Sequence, residues 1–159
     1  MKYLWITLPI LLFGYVGYVE AGTKNDIHCL AENIYFEARG ESTAGRMAVA
    51  LVTLNRVKDK RFPDTVCGVV KQTKFYPSGR IDLHSCQFSW YCDGKSDTPR
   101  DKKCWDDALL IAEVMITYSA IDVTDGALWY HSRKVQPEWS MVYIRTVSID
   151  NHIFYKDID

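Results

Sequence analysis

A single glutamate near the start of the chain has the surroundings that general-acid catalysis requires. Glu37 lies in the segment Asn-Ile-Tyr-Phe-Glu-Ala-Arg-Gly-Glu of residues 33–41, with large apolar side chains before it and Arg39 and Glu41 after it. Apolar residues recur at intervals of three and four over residues 26–39, which predicts an amphipathic helix with Glu37 in its last turn. A carboxyl group held on a helix beside apolar side chains can keep its proton near neutral pH. An isolated glutamate at a helix end is usually only solvated, so the assignment depends on its neighbours.

The elements that must position Glu37 follow from the same periodicity. Asn25 or Asp26 is expected to cap the first helix, and Gly40 is expected to end it in the left-handed conformation. A second helix is expected over residues 42–58, after a turn of only a few residues. The two helices then form a tight corner, where a cleft can open beside Glu37 without breaking the core.

The second acid of the segment, Glu41, has a structural role in this interpretation. It precedes Ser42 and Thr43, either of which is a suitable N-cap for the second helix. A negative charge at a helix start is favoured by the helix dipole. This is a sufficient reason for Glu41, and we prefer it to a catalytic role.

The remainder of the chain completes an α+β pattern. An irregular region over residues 62–103 is long enough to be functional, and its aromatic residues and cysteines favour an ordered loop. A third helix is expected over residues 101–120, followed by a short strand at 127–131. A hairpin is expected from strands 145–149 and 152–155, joined by Asp-Asn. Helices first and strands last are typical of an α+β fold with a helical lobe and a small antiparallel β lobe.

The composition is that of one exported globular domain. The chain has 159 residues, of which 48% are hydrophobic and 25% charged, enough for one domain with its own core. The net charge of −1 argues against a nucleic-acid partner. Lys2, an apolar run and Val-Glu-Ala predict a signal peptide over residues 1–21, with the folded body over residues 22–159. The run is about 17 residues long, so an uncleaved anchor that contacts the membrane through residues 3–19 is the alternative. Both possibilities place the body in the periplasm, in the cell wall or outside the cell.

The cysteines are expected to form disulfides in an oxidising compartment. There are five, Cys29, Cys67, Cys86, Cys92 and Cys104, so at least one is free or pairs between molecules. A bridge from Cys92 to either Cys86 or Cys104 would fix the loop between residues 86 and 92. Zinc is disfavoured because no CxxC or HExxH spacing occurs and the histidines, His28, His84, His131 and His152, are scattered. No metal and no cofactor is expected.

Two further segments combine aromatic with hydrogen-bonding side chains. One is residues 87–91 in the cysteine-bearing loop, and the other is residues 128–132, followed by Pro-Glu-Trp at 137–139. Aromatic rings stack on the apolar faces of sugars, and amide, hydroxyl and imidazole groups bind hydroxyl and N-acetyl groups. The predicted substrate-binding residues are Gln87, Phe88, Ser89, Trp90, Tyr130 and His131. A packed loop explains the first segment equally well, and a lone histidine is more often structural.

Taken in order, the motifs resemble a known family. They are Glu37-Ala38-Arg39-Gly40-Glu41, Leu54-Asn55-Arg56-Val57, Gln87-Phe88-Ser89, Gly126-Ala127-Leu128-Trp129-Tyr130-His131 and Asn151-His152-Ile153-Phe154-Tyr155. Over about residues 27–155 the chain resembles the spore-cortex-lytic, SleB-type cell-wall hydrolases, whose members also include phage endolysins. The long cysteine-bearing loop departs from the shorter spore form.

The resemblance implies a cell-wall hydrolase domain with a lysozyme-like lytic transglycosylase fold that acts on peptidoglycan glycan strands. The bond cleaved would be the β-1,4 bond between N-acetylmuramic acid and N-acetylglucosamine, and the family's catalytic glutamate falls on Glu37. A lytic transglycosylase needs only one carboxylate, which acts first as acid and then as base and leaves a 1,6-anhydromuramic end. One alternative is a hydrolytic muramidase that uses Glu41 or an aspartate of the long loop as second carboxylate. The other is a peptidoglycan-binding module without catalysis.

Overall fold

Four helices precede a three-stranded sheet in the computed structural model, which describes residues 21–83, 85–118 and 121–158. The elements are α1 Ala21–Ala38, α2 Thr43–Lys58, α3 Val66–Val70, α4 Lys102–Thr117, β1 Trp129–Ser132, β2 Ile144–Ile149 and β3 His152–Lys156. Short 3₁₀ helices cover Ser89–Cys92 and Glu138–Met141. Residues 1–20 of the predicted export segment, and His84, lie outside the described residues. Within the described ranges, no helix is both long enough and apolar enough to cross a membrane.

Helix α1 places Glu37 in its last turn as predicted, but both of its ends differ from the expectation. The chain is already helical at Ala21, so neither Asn25 nor Asp26 caps the helix. Asp26 instead accepts a hydrogen bond from the backbone N–H of Cys67 at 3.2 Å. Gly40 does not have a positive φ. The chain leaves the helix through a turn closed by Glu41 N–H and the Ala38 carbonyl at 2.9 Å, which requires no left-handed residue.

The start of α2 is bound to the sheet. Ser42 caps the helix as predicted, since its Oγ accepts from Gly45 N–H at 3.3 Å. Asp150, in the turn between β2 and β3, accepts from Ser42 N–H at 2.8 Å and from Ser42 Oγ at 2.6 Å. A Cβ at position 45 would lie 2.9 Å from Glu41 Cβ and would also meet the Asp150 carboxylate. Glycine therefore allows the helix start and the turn to pack together.

The sheet is antiparallel with the strand order β1-β3-β2. Trp129 of β1 lies opposite Tyr155 of β3, and Ile149 of β2 lies opposite His152. The hairpin therefore turns at Asp150 and Asn151, as the sequence predicted. Asp150 has φ 48°, a left-handed conformation that aspartate tolerates better than most residues. The predicted α+β class is confirmed.

Two hydrophobic clusters share helix α2. The larger cluster joins α1, α2, α3 and α4, and its fully buried members include Leu30, Ile34 and Val69. The smaller cluster lies between α2 and the sheet and consists of Ala48, Val52, Ala127 and Phe154. Because α2 contributes to both, it joins the helical lobe to the β lobe.

One disulfide attaches the long loop to α1, and a second closes a segment within the loop. Cys29 of α1 pairs with Cys67 of α3, a helix too short for the sequence periodicity to reveal. Cys86 pairs with Cys92 and closes the segment that carries the first group of predicted binding residues. The alternative pairing of Cys92 with Cys104 is wrong, because Cys104 lies in the first turn of α4 and is free.

Candidate active site

Glu37 opens into a cleft of about 320 Å³ between the helical corner, the long loop and β1. The other lining residues are Arg56, Cys86, Gln87, Phe88, Ser89, Trp129, Tyr130 and Trp139. Among the described residues that line this cleft, Glu37 is the only carboxylate. The structure thus brings together one acid, one cation and four aromatic rings from distant parts of the chain.

Tyr130 holds the catalytic candidate from the opposite wall of the cleft. Its hydroxyl donates to Glu37 Oε2 at 2.9 Å. Burial raises the pKa of Glu37, whereas the Tyr130 hydrogen bond and the charge of Arg56 oppose that rise. Burial and the nearby Glu37 charge raise the pKa of Tyr130, so the phenol remains a donor. Among the described residues Oε2 has this donor and Oε1 has no partner, so Oε1 is the oxygen available to carry a proton toward a bound ligand.

Arg56 of α2 forms the floor of the cleft and is only 3% exposed. Its Nε donates to the Leu128 carbonyl at 2.8 Å. With the Gln87 side-chain amide oriented so that its oxygen and its nitrogen are both satisfied, the oxygen accepts from Arg56 Nη1 at 3.2 Å and from Nη2 at 3.3 Å. The rings of Phe62 and Phe88 each lie 5.4 Å from the guanidinium carbon. Arg56 therefore connects α2 with the start of β1 and with the long loop.

The charge of Arg56 matters for Glu37. Burial lowers the pKa of Arg56 to about 10, so the side chain remains cationic at neutral pH. Sequence reasoning did not assign Arg56 to the site. One signal was present: Arg56 follows Val52 by one helical turn, so it falls on a buried face of α2 where an arginine needs polar partners.

Asn33 positions the loop that carries Gln87, Phe88 and Ser89. It is fully buried, and its Oδ1 accepts from Trp90 Nε1 at 3.1 Å. Its Nδ2 donates to Thr53 Oγ1 at 3.1 Å. The Trp90 ring is itself buried, so Trp90 anchors the loop and does not line the cleft.

His131 is likewise held away from the cleft wall. Its Nε2 lies 3.0 Å from the Tyr155 hydroxyl, and its Nδ1 lies 2.8 Å from the Ser132 carbonyl. Trp129 and Trp139, which the sequence placed in the aromatic segments without a role, line the cleft instead. The Trp129 ring stacks on Tyr143 with centroids 4.1 Å apart.

The structure thus gathers Gln87, Phe88, Ser89 and Tyr130 around Glu37, and the binding roles predicted for all six residues stay predictions. Glu41 does not line the cleft. Its two carboxylate oxygens accept from Asn151 N–H and Nδ2, each at 3.1 Å, and so tie the helical corner to the hairpin. In the part of the chain that the structure describes, no group of His, Cys, Asp and Glu side chains could hold a metal ion.

The fold and the sequence together identify the family. The model of the Cell Wall Hydrolase family matches residues 40–155, and the chain belongs to this family. The resemblance stated from the motifs is therefore confirmed. The match begins after Glu37, so the role of that residue depends on the geometry of the cleft.

The names of the individual relatives are more specific than the description of the family. A spore cortex-lytic enzyme of Bacillus cereus is 33% identical over 140 residues, which cover 84% of this chain and 45% of that protein. One from Oceanobacillus iheyensis is 46% identical over 61 residues, covering 38% of this chain and 22% of that protein. The chain thus spans less than half the length of these curated relatives.

Two solved catalytic domains share the fold. The catalytic domain of the Bacillus cereus SleB protein has a TM-score of 0.59 and 30% identity, and the match covers 84% of this chain and 91% of that one. The catalytic domain of the germination-specific lytic transglycosylase SleB from Bacillus anthracis has a TM-score of 0.56 and 29% identity, and the match covers 89% of this chain and 98% of that one. The predicted lytic-transglycosylase-like fold is confirmed.

Proposed function

We propose that this protein cleaves the β-1,4 bond between N-acetylmuramic acid and N-acetylglucosamine in peptidoglycan, with Glu37 as acid and then base. The observation that carries the proposal is a single carboxylate in an aromatic-walled cleft, with a pKa raised by burial. Family membership and the names of the relatives support the polymer and the reaction class. Because the polymer lies outside the cytoplasm, the proposal agrees with export of the chain.

The first step needs the protonated form of Glu37. Burial favours that form, and Oε1 can carry the proton while Oε2 is held by Tyr130. Glu37 gives its proton to the glycosidic oxygen, the bond from that oxygen to C1 of muramic acid breaks, and positive charge develops on the sugar. The resulting carboxylate is stabilised by the Tyr130 hydroxyl and by the charge of Arg56.

The second step returns the enzyme to its starting state. The Glu37 carboxylate accepts the proton of the muramic acid 6-hydroxyl, whose oxygen bonds to C1. The product is a 1,6-anhydromuramic end, and no water is consumed. Hydrolysis with retention or inversion normally uses a second carboxylate. The absence of another carboxylate among the described lining residues favours the intramolecular route.

Substrate contacts follow from the walls of the cleft. Trp129 and Trp139 offer aromatic surface for sugar rings, and Ser89 and Gln87 offer hydrogen-bonding groups. The Gln87 side chain also accepts from Arg56, so we expect it to orient the guanidinium as well as to bind sugar. Trp90 and His131 are expected to act by positioning these walls.

The test is the Glu37→Gln variant with product analysis. Purified peptidoglycan is digested and the released muropeptides are identified by mass spectrometry. The wild type should give 1,6-anhydromuramic ends, and the variant should lose at least about a thousandfold in rate, the scale of removing an essential acid–base group. Reducing-end muramic acid in the wild-type digest would instead establish hydrolysis.

Glu41→Gln is the matched control. It changes the other acid of the same segment while keeping an oxygen that can accept from Asn151. We expect its rate to stay within about threefold of the wild type, because exposed hydrogen bonds contribute little. Wild-type activity in Glu37→Gln would refute the assignment, and binding without cleavage by the wild type would favour the non-catalytic module.

A further inference from the structure

A second and larger cavity adjoins the catalytic cleft. It has a volume of about 720 Å³, and its walls include Tyr35, Phe36, Arg39, Lys95 and Arg100. Phe36 stacks on Trp90 with ring centroids 4.7 Å apart. Ser89, the neighbour of Trp90, lines the catalytic cleft, so the stacked pair stands between the two cavities.

The second cavity starts at the same helical turn as the catalytic residue. Phe36 and Arg39 lie in and just after the last turn of α1, on either side of Glu37 in sequence. Phe36 directly precedes Glu37 in the helix, so the two residues differ in height along the helix axis by only about 1.5 Å. The cavity that Phe36 lines therefore lies close enough for a side branch attached next to a scissile bond at Glu37 to reach it.

The charge of the cavity wall is positive. Its lining contains three cationic side chains, Arg39, Lys95 and Arg100, and one carboxylate, Asp101. Lys95 pairs with Asp93, and Asp101 accepts from Cys104 N–H at 3.0 Å to cap α4. Among the described residues, neither Arg39 nor Arg100 has a carboxylate partner.

Tyr35 contacts the backbone at Arg100 and the side chain of Arg39. The Tyr35 hydroxyl accepts from Arg100 N–H and from Asp101 N–H, both at 3.0 Å. The Arg39 guanidinium carbon lies 5.2 Å from the centre of the Tyr35 ring. Tyr35 thus holds the Arg100 backbone and packs against the Arg39 side chain while its own ring is buried. Both arginines are exposed, so their guanidinium N–H groups can reach a ligand.

From this arrangement we infer that the groove formed by Tyr35, Phe36, Arg39 and Arg100 binds the carboxylate-bearing peptide stem attached to the muramic acid next to the scissile bond. The inference rests on the proposed function, because that function supplies the polymer. The glycan backbone itself is uncharged, whereas its peptide stems carry free carboxylates that suit a cavity lined by two arginines without carboxylate partners. Tyr35 is buried and Phe36 is covered by Trp90, so this groove suits sugar stacking less well than the catalytic cleft does.

The experiment compares two substrates for the double variant Arg39→Gln, Arg100→Gln. One substrate is soluble peptidoglycan strands with their stems, and the other is the same strands after an amidase has removed the stems. The wild type should show a lower KM for stem-bearing strands. In the double variant this KM preference should fall about three- to tenfold, the scale of losing two partly exposed ion pairs. Arg133→Gln, which removes an exposed arginine outside the groove, should keep the wild-type preference.

Binding to the inactive Glu37→Gln protein provides a readout that does not depend on catalysis. Addition of the two arginine substitutions should weaken its binding to stem-bearing strands by the same factor and remove most of the salt dependence. An equal effect on both kinds of strand, or no effect on either, would overturn the assignment of the stem to this groove. If the wild type cleaves neither substrate, the proposed function fails, and the binding comparison still decides the role of the groove.

Discussion

Replacing Tyr130 by phenylalanine tests how the cleft controls the protonation of Glu37. The change removes one hydroxyl, which donates to Glu37 Oε2 at 2.9 Å, and keeps the ring that packs between the two hydrophobic clusters. A hydrogen bond to a charged group contributes about 1.5–3 kcal/mol. Since about 1.4 kcal/mol is a factor of ten, the ratio of carboxylate to acid at Glu37 should fall roughly tenfold or more at fixed pH.

The direction follows from the role of the acid. In the proposed mechanism Glu37 must be protonated to begin the reaction, so kcat/KM should decline as pH rises through its pKa, which burial already raises. The Tyr130 hydrogen bond lowers that pKa, so its loss should move the alkaline decline to higher pH. The measurement is kcat/KM for cleavage of peptidoglycan strands between about pH 4 and pH 9 for both proteins.

Tyr155→Phe is the matched control for this experiment. It also removes one hydroxyl from a buried tyrosine, but that hydroxyl contacts His131 Nε2 at 3.0 Å and not Glu37. Its alkaline decline should coincide with that of the wild type. An unmoved decline in Tyr130→Phe, or one at lower pH, would show that the Tyr130 hydroxyl does not control the protonation of Glu37.

Three further outcomes are expected. Glu37→Gln should gain stability relative to the wild type as pH rises. Because the pKa of Glu37 is raised in the folded wild type, the folded state binds the Glu37 proton more tightly than the unfolded chain does. This stabilisation is lost when Glu37 deprotonates, and the variant has no such loss. Thermal unfolding across the pH range measures this difference in stability, and a difference that does not change with pH would contradict the prediction. Replacing Cys29 and Cys67 by serine should cost about 4 kcal/mol, the loop entropy for a separation of 38 residues, in denaturant unfolding. Asn33→Ala should cost about 1–3 kcal/mol and raise KM, because Trp90 loses its buried acceptor; unchanged stability would show that water replaces the amide.

The sequence predicted the elements whose pattern is local. Long amphipathic helices, the Ser42 cap and the two-residue hairpin turn were all identified, because each depends on neighbours a few residues apart. Helix α3 was missed because Val-Cys-Gly-Val-Val is too short to show a helical period. The left-handed conformation expected for Gly40 was wrong because the turn after α1 closes without it.

In the candidate site, too, the residues with a local sequence signal were easier to find than those with distant partners. Glu37 could be proposed from the sequence because its helix, its apolar neighbours and its motif are contiguous, and the structure places it in the cleft. Arg56 was not assigned to the site: its position on a buried face of α2 is visible in the sequence, but its partners at Leu128 and Gln87 come from distant segments. Residue type alone also does not distinguish a residue that lines the cleft from one that holds the lining in place. Trp90 and Ser89 are adjacent, yet Trp90 is buried against Asn33 and Ser89 faces the cleft.

The position of α2 between the two hydrophobic clusters has a consequence for how the molecule can vary. Ala48 and Val52 hold the sheet, Leu51 holds the helical lobe, and Arg56 of the same helix contacts the start of β1. The acid on α1 and the phenol on β1 are thus set by one cooperative unit, whose amides should exchange with deuterium only through global unfolding. The long loop packs on this unit through Phe88 and Trp90, and it is joined to α1 by the Trp90–Asn33 hydrogen bond and by the Cys29–Cys67 disulfide. The exposed Ser89 can therefore vary and alter the cleft wall, whereas a change at Gln87 would also alter a partner of Arg56, whose charge acts on Glu37.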